Sequence, residues 1–197
     1  MITAALPKTI LLALAALAIG ACGEKNDART ESSGAPAPGD SASATGGTAP
    51  WSDANILALL DEVNAGDSTH GAIAATKGTS SAVRDFGKQM MRDHHTLRVQ
   101  GEALAKRLGL TPVAPPGDSL PADVQKATDL LNTTAKGKDF DKAYIDHEVE
   151  MHKRVLEIAT QSMNAAESTE LKYMIQKATP ILQAHLDKVQ SIQRDMK

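Results

Sequence analysis

The sequence has very little cysteine and few aromatic residues, and both shortages exclude whole classes of protein. Among 197 residues there are one Cys, one Trp, two Tyr and two Phe. One cysteine forms no internal disulfide, which excludes a small disulfide-stapled scaffold. So few aromatic rings, together with a net charge of -3 and mixed signs, argue against nucleic acid as a partner, because a nucleic-acid binder presents a concentrated basic face.

Motifs for nucleotide binding and for nucleophilic catalysis are also missing. The sequence contains no P-loop, no Gly-rich dinucleotide turn and no Ser-based nucleophile motif. The composition therefore favours a non-enzymatic role without deciding the matter. What remains is a helical, Ala- and Leu-rich chain in which the positions of a few polar residues carry the information.

The N-terminal segment has the pattern of an export signal. After Lys8, an unbroken apolar run covers residues 10–19. The run is too short to span a hydrocarbon layer of roughly 30 Å. It leads through Gly20 and Ala21 into Cys22, which resembles a bacterial lipoprotein cleavage box. We therefore predict a signal peptide over residues 1–21; an ordinary signal peptide with an incidental cysteine is the alternative.

Lipidation of Cys22 would anchor the mature chain in a membrane. Several acyl chains on one residue exceed the single chain that gives only marginal binding. Gly23 follows the cysteine in place of Asp, which by resemblance to known sorting rules favours the outer membrane, facing the periplasm. The lipidated cysteine and a Gly-, Ala-, Ser- and Pro-rich linker occupy residues 22–51, since this composition buries too little apolar surface to fold. The folded domain is expected over residues 52–197.

Helix start and stop signals divide this domain into four long helices and one short one. No segment alternates with period two, so strands are not expected. The fold class predicted is all-α, a four-helix bundle with a short extra helix between the second and third long helices. The connection between those two helices permits either a crossover or a return at the same end. The predicted helices run from Asp53 (capped by Ser52) to Gly78, from Ser80 or Ser81 to Leu108, from Pro121 to before Gly137, from a cap at Asp139 to about Asn164, and from a cap at Ser168 nearly to the C-terminus.

Every long helix carries a metal-competent side chain on its apolar face when it is projected at 100° per residue. Buried carboxylates and imidazoles need mutual hydrogen bonds, water or a cation, and bundle cores that hold transition metals draw such ligands from facing helices. We therefore predict a transition-metal site for Fe, Zn, Cu or Mn; a polar network without metal, or a ligand pocket, is the alternative. The candidate ligands are Asp67, His70, His94, Glu148, His152 and His185.

Two other histidines, His95 and His147, project away from the apolar faces and are expected to be solvated. A di-iron oxidase is less favoured than simple binding, because no pair of Glu-x-x-His motifs is present. Metal storage, sequestration or stress sensing would use the predicted site. A non-catalytic envelope interaction protein, whose core histidines only specify packing, is the second hypothesis. The sequence indicates neither a protein partner nor an oligomeric state.

Several spaced motifs in the domain resemble the bacterial family called domain of unknown function 4142, over about residues 52–196. The resemblance implies an exported, often lipoprotein-anchored, ferritin-like protein with Asp67, His94, His152 and His185 in its polar core. The family usually has Glu at position 67, and its biochemical role is not established. The motifs are Val63-Asn64 through Asp67, Met91-Arg92-Asp93-His94, Phe140-Asp141-x-x-Tyr144, His152, and Thr179-Pro180 with His185.

Overall fold

The computed structural model describes residues 51–196, and this part of the chain is helical with no strand. The predicted signal peptide, Cys22 and the linker up to Pro50 lie outside the described residues. No helix among those described is long and apolar enough to cross a membrane. The all-α bundle is confirmed, and the short extra helix is α3. The helices are α1 (Asp53–Lys77), α2 (Ser81–Leu108), α3 (Leu120–Thr133), α4 (Lys138–Ala165) and α5 (Thr169–Asp195).

Capping residues set most of the helix bounds where the sequence predicts them. The side chains of Ser52, Ser80 and Ser168 each accept a hydrogen bond from a backbone N–H in the first turn of α1, α2 and α5. The start of α4 differs from the prediction. This helix begins at Lys138 after a glycine with φ 154°, a conformation that side chains disfavour, so the predicted cap Asp139 instead lies exposed in the first turn.

Two aspartates fix how the two helical hairpins, α1–α2 and α4–α5, lie against each other. Asp53 at the start of α1 accepts hydrogen bonds from the backbone N–H groups of Glu167 and Ser168, in the α4–α5 turn, at 2.8 and 2.9 Å. Asp141 near the start of α4 accepts two from residues 79–80, in the α1–α2 turn, at 2.7 and 2.8 Å. Since α2 ends where α1 starts, the chain must cross the length of the bundle to begin α4.

The crossover settles the connection that the sequence leaves open. The backbone N–H of Val113 donates to the carbonyl of Ala54 at one end of the bundle. At the other end, Lys77 Nζ donates to the carbonyls of Leu131 and Asn132. Helix α3 therefore runs beside α1 within a single long crossover, which is the connectivity of ferritin-like bundles.

The two hairpins also resemble each other in their local geometry. The interval from Asp53 to Ser80 equals the interval from Asp141 to Ser168. The residue that ends the first helix of each hairpin has nearly the same backbone conformation, φ −55° and ψ 139° at Gly78 and φ −55° and ψ 137° at the corresponding alanine of the second hairpin. The hairpins therefore hold one another by the same contact, which we call a clamp. In each clamp, an aspartate near the start of one hairpin accepts hydrogen bonds from two backbone N–H groups in the turn of the other.

Removing one clamp is expected to destabilise the bundle. Asp141→Ala leaves the N–H groups of Thr79 and Ser80 without their acceptor, at a cost of about 2 kcal/mol or more. The matched control is Asp139→Ala, which removes an exposed carboxylate from the same turn and should change stability by no more than about 0.5 kcal/mol. Urea denaturation of both variants measures the difference, and equal effects would contradict the clamp.

Two apolar clusters lie toward the ends of the bundle, and a layer of buried polar side chains lies between them, beside a third apolar cluster. One cluster includes Phe86, Phe140 and Tyr144 near the α1–α2 turn, and another includes Ile56 and Leu171 near the α4–α5 turn. Along each long helix, the buried acidic residues and histidines fall between members of these clusters, except for Asp141 at the bundle end. The polar side chains are thus held in mid-bundle, away from water.

Candidate metal centre

All six predicted ligands are buried. Their relative exposures are 1% for Asp67, 0% for His70, 0% for His94, 0% for Glu148, 0% for His152 and 1% for His185. They do not form a single group. The structure brings three histidines together on one side of the polar layer and places His70 and Glu148 in a second group.

The first group consists of His94 on α2, His152 on α4 and His185 on α5. One ring nitrogen of each lies within 4.8 Å of a ring nitrogen of the other two. The ring centroids are 5.3 to 5.6 Å apart. Three imidazoles from three helices therefore surround one point in the core.

The orientation of His94 is fixed by a hydrogen-bonded asparagine. Asn64 Nδ2 donates to the carbonyl of Leu60 at 2.7 Å, so its Oδ1 faces His94 Nδ1 at 2.9 Å. Since Oδ1 only accepts, Nδ1 of His94 carries the proton. The Nε2 atom is then a bare lone pair, buried and without a hydrogen-bond partner.

The other two histidines are held in the same manner. His152 Nδ1 donates to the carbonyl of Glu148 at 2.9 Å, and His185 Nε2 donates to Asp93 Oδ2 at 2.9 Å. The remaining nitrogens, Nε2 of His152 and Nδ1 of His185, are buried and unpartnered. Each ring thus donates a hydrogen bond from one nitrogen to an outer acceptor and keeps the lone pair of the other nitrogen free, which is the usual arrangement of metal-ligating histidines.

Asp67 lies beside this group. Its Oδ2 atom is 3.6 Å from His94 Nε2, and neither carboxylate oxygen has a hydrogen-bond partner. Burial raises the pKa of Asp67 to about 8, because a carboxylate loses its hydration in the core. The ligand atoms that lie within 4.8 Å of one another are those of the three histidines without Asp67, so Asp67 adjoins the group through His94.

The second group joins His70 to Glu148 through a histidine that sequence analysis set aside. His147 Nε2 lies 3.0 Å from His70 Nδ1, and His147 is half-buried, so the expectation that it is solvated is wrong. His95, in contrast, is exposed. One ligand atom each of His70, His147 and Glu148 lies within 4.8 Å of the others.

Burial governs the protonation of the polar layer. It lowers the pKa of His94 well below 6.5 and that of His152 to about 4, with the neighbouring imidazoles adding to the shift. Burial also lowers the pKa of His185, against the opposing pull of Asp93. The pKa of Glu148 is raised well above its usual range by burial and by Asp67. At neutral pH the histidines are therefore neutral and ready to ligate.

These shifts predict a stability maximum for the metal-free protein near pH 6.5. Unfolded histidines take up protons near pH 6.5, whereas folded His152 does so only near pH 4. The free energy of unfolding therefore decreases as the pH is lowered from 6.5 to 4, by about 3 kcal/mol for this residue alone. Asp67 changes the stability in the opposite direction, since its pKa in the folded protein exceeds its unfolded value of about 4. Its contribution is lost as pH rises toward 8.

Histidines with a lowered pKa outnumber the two carboxylates with a raised one, so acidification below pH 6.5 destabilises overall. Urea denaturation from pH 4 to pH 9 in the presence of a chelator measures the profile. Asp67→Asn should flatten its alkaline side. A stability that stays level between pH 6.5 and pH 4 would contradict the burial of neutral histidines.

Two residues that orient the centre were not among the predicted ligands. Asn64 lies less than one turn before Asp67 on α1, and Asp93 directly precedes His94 on the edge of the α2 stripe. Helical periodicity places both near the core, but it does not tell which acceptor meets which ring nitrogen. The sequence did place a hydrogen-bonding side chain within one turn of a candidate ligand in both cases, which is where a residue that orients a ligand is expected.

Comparisons with known proteins bear on the fold and on the family. A model for a domain of unknown function (DUF4142) matches residues 37–192. Among curated proteins, none matches the chain in sequence. The fold is similar to that of a DUF305 fragment from Deinococcus radiodurans, with 11% identity, a TM-score of 0.63, and 73% of this chain and 95% of that chain covered. It is also similar to CopM in its Cu(II)-bound form, with 12% identity, a TM-score of 0.62, and 76% and 100% covered.

Proposed function

The chain belongs to the DUF4142 family of domains of unknown function, and from the geometry of its core we propose that it binds a transition-metal ion through His94, His152 and His185. The observation that carries the proposal is the set of buried lone pairs. Each of the three rings has one buried nitrogen without a hydrogen-bond partner, and the other nitrogen is held by an outer acceptor. The rings are close enough for one nitrogen of each to lie within 4.8 Å of the others. A self-sufficient polar network would pair these atoms with one another.

The donor set narrows the choice of ion. Imidazole nitrogens suit Cu, Zn, Fe and Ni, whereas Mn prefers carboxylates and water. Three histidine ligands therefore disfavour Mn among the four predicted ions and leave Cu, Zn and Fe. Copper is the first ion to test, because a protein of the same fold is known in a Cu(II)-bound form.

The burial of the site favours holding an ion over turning over a substrate. The three histidines and Asp67 are at most 1% exposed, and catalytic metal sites keep a position open for water or substrate. None of these side chains is open to solvent. We therefore favour storage or sequestration of the metal over an enzymatic role.

The proposed place of action is the outer membrane, facing the periplasm. Support comes from the apolar run that leads into Cys22, whose lipidation would leave the bundle tethered by the linker. Membrane fractionation tests this part of the proposal: the wild-type chain should sediment with the outer membrane, and Cys22→Ala should release it. Release of neither protein, or of both, would contradict the anchor.

Elemental analysis tests the metal itself. The full chain, purified without chelator and then dialysed against Cu(II) or Zn(II), should retain at least about one equivalent of ion. His95→Ala is the control, because it removes an exposed imidazole and should retain as much. Retention of less than about a tenth of an equivalent of Cu(II) and likewise of Zn(II) would contradict the proposed metal centre. It would leave the second hypothesis, an envelope interaction protein with a metal-free polar core.

A further inference from the structure

A second group of potential ligands lies beside the three-histidine centre and shares none of its ring nitrogens. It consists of His70 on α1 with His147 and Glu148 on α4, and one ligand atom of each lies within 4.8 Å of the others. His70 and Glu148 are 0% exposed. His147 is half-buried and connects the group to the surface.

The hydrogen bonds around His70 determine where its lone pair points. Thr128 Oγ1 donates to the carbonyl of Val124 at 2.9 Å, so Oγ1 is left as the acceptor for His70 Nε2, at 3.0 Å. Nε2 therefore carries the proton, and Nδ1 of His70 presents its lone pair to His147 Nε2 at 3.0 Å. A single proton on His147 Nε2 lies between the two nitrogens.

Replacing that proton with a cation would turn the hydrogen-bonded pair into two ligands. Two nitrogens bound to one tetrahedral zinc ion at about 2.1 Å are themselves about 3.4 Å apart, so the observed pair, at 3.0 Å, has to widen by only about 0.4 Å. The tautomer change is small, since His147 only has to carry its proton on Nδ1. The two rings are 4.7 Å apart and nearly perpendicular, with an interplanar angle of 82°.

Glu148 supplies an independent indication of a ligand. Both of its carboxylate oxygens are buried and lack a hydrogen-bond partner, and Oε2 lies 3.4 Å from His152 Nδ1. Burial and Asp67 raise the pKa of Glu148 against the opposing effect of the nearby Tyr144 hydroxyl, and that hydroxyl forms no hydrogen bond of normal length. A buried carboxylate in this state is costly unless a proton or a cation neutralises it.

We propose that His70, His147 and Glu148 form a second divalent-cation site, of the two-histidine, one-carboxylate type that binds Zn(II). None of its three ligands belongs to the three-histidine centre, so it goes beyond the proposed function and does not require the first site to be filled. Glu148 lies between the two groups, because it contacts His152 on one side and the His70–His147 pair on the other. The polar layer would then hold two ions side by side.

Zinc stoichiometry of the full chain and of single-site variants tests this inference. Equilibrium dialysis against Zn(II) followed by elemental analysis should give two ions for the wild type, one for His147→Ala and one for His185→Ala. Glu148→Gln, which keeps the shape of the side chain, should also bind one, and circular dichroism verifies that each variant is folded. His95→Ala should bind two.

Four other outcomes would contradict one or both sites. Two ions in both His147→Ala and Glu148→Gln would overturn the second site. One ion in the wild type that survives His147→Ala and is lost in His185→Ala would also overturn it, while the proposed function stands. One ion that is lost in His147→Ala and survives His185→Ala would support the second site and overturn the three-histidine centre. No zinc in the wild type would overturn both.

Discussion

His152→Leu is expected to abolish high-affinity metal binding without lowering the stability of the metal-free protein. The substitution removes one of three ligands. Since losing only an outer partner of a ligand costs about 10–100-fold in affinity, loss of the ligand itself should cost more than about 100-fold. Isothermal titration with Cu(II) measures the affinity, and urea denaturation in chelator measures the stability.

The stability half of this prediction separates the two functional hypotheses. His152 Nε2 is buried without a partner, and replacing unsatisfied buried polar groups with apolar ones of similar size is often neutral or stabilising. If the core histidines only specify packing, their polar network should stabilise the metal-free protein more than a leucine at position 152 would. A large loss of apoprotein stability with unchanged copper affinity would therefore contradict the metal centre.

Asp93→Ala gives a graded companion to this variant. Asp93 contacts no proposed ion, but its Oδ2 accepts a hydrogen bond from His185 Nε2–H, which leaves the lone pair of His185 Nδ1 free. Its loss should weaken Cu(II) binding by about 10–100-fold, between the wild type and His152→Leu. His95→Ala, two positions along α2, should leave the affinity unchanged.

Gly87→Ala is expected to destabilise the whole bundle, by about 3 kcal/mol or more. A Cβ at Gly87 would lie 2.7 Å from the carbonyl oxygen of Gly71 and 2.8 Å from the backbone N of Ala75. A Cβ at Gly71 would meet the carbonyl oxygen of Gly87 at 2.6 Å. Helices α1 and α2 therefore touch backbone to backbone, and no side-chain rotation relieves the overlap.

Gly101→Ala, on the same helix, is the matched control. A Cβ there would meet nothing within 4 Å, so the substitution should stabilise the protein by about 0.5–1 kcal/mol through helix propensity alone. Thermal denaturation of both variants in chelator measures the contrast. Because Gly71 follows His70 on α1, Gly87→Ala should also weaken zinc binding at the second site, formed by His70, His147 and Glu148, whereas Gly101→Ala should not. Destabilisation by both variants alike would contradict the close approach of the two helices.

The helices and their caps were predictable because local chemistry determines them. Ser52, Ser80 and Ser168 are N-caps in the structure as the sequence indicates. The crossover was not predictable, since it depends on Asp53 and Asp141 reaching turns that are far away in the sequence. A connection of that length is compatible with either path until such contacts are known.

The candidate site was predictable only as a set of inward-facing residues. Periodicity gives the face of a helix but not the rotation and height of the helix opposite, so it could not divide the set into two groups. His147 was set aside because it lies off the main apolar arc of α4. It is half-buried because α3 covers that flank of the bundle, where Thr128 and Val124 contact His70.

Anomalous diffraction at the copper edge, from crystals of the Cu(II)-loaded full chain, would locate the ion. We expect a peak bonded to His94 Nε2, His152 Nε2 and His185 Nδ1, at about 2.0–2.1 Å from each nitrogen. The choice of Nδ1 at His185 is specific, because Asp93 holds the other nitrogen. Copper bound only at exposed side chains such as His95, with no peak among the three buried rings, would contradict the three-histidine centre.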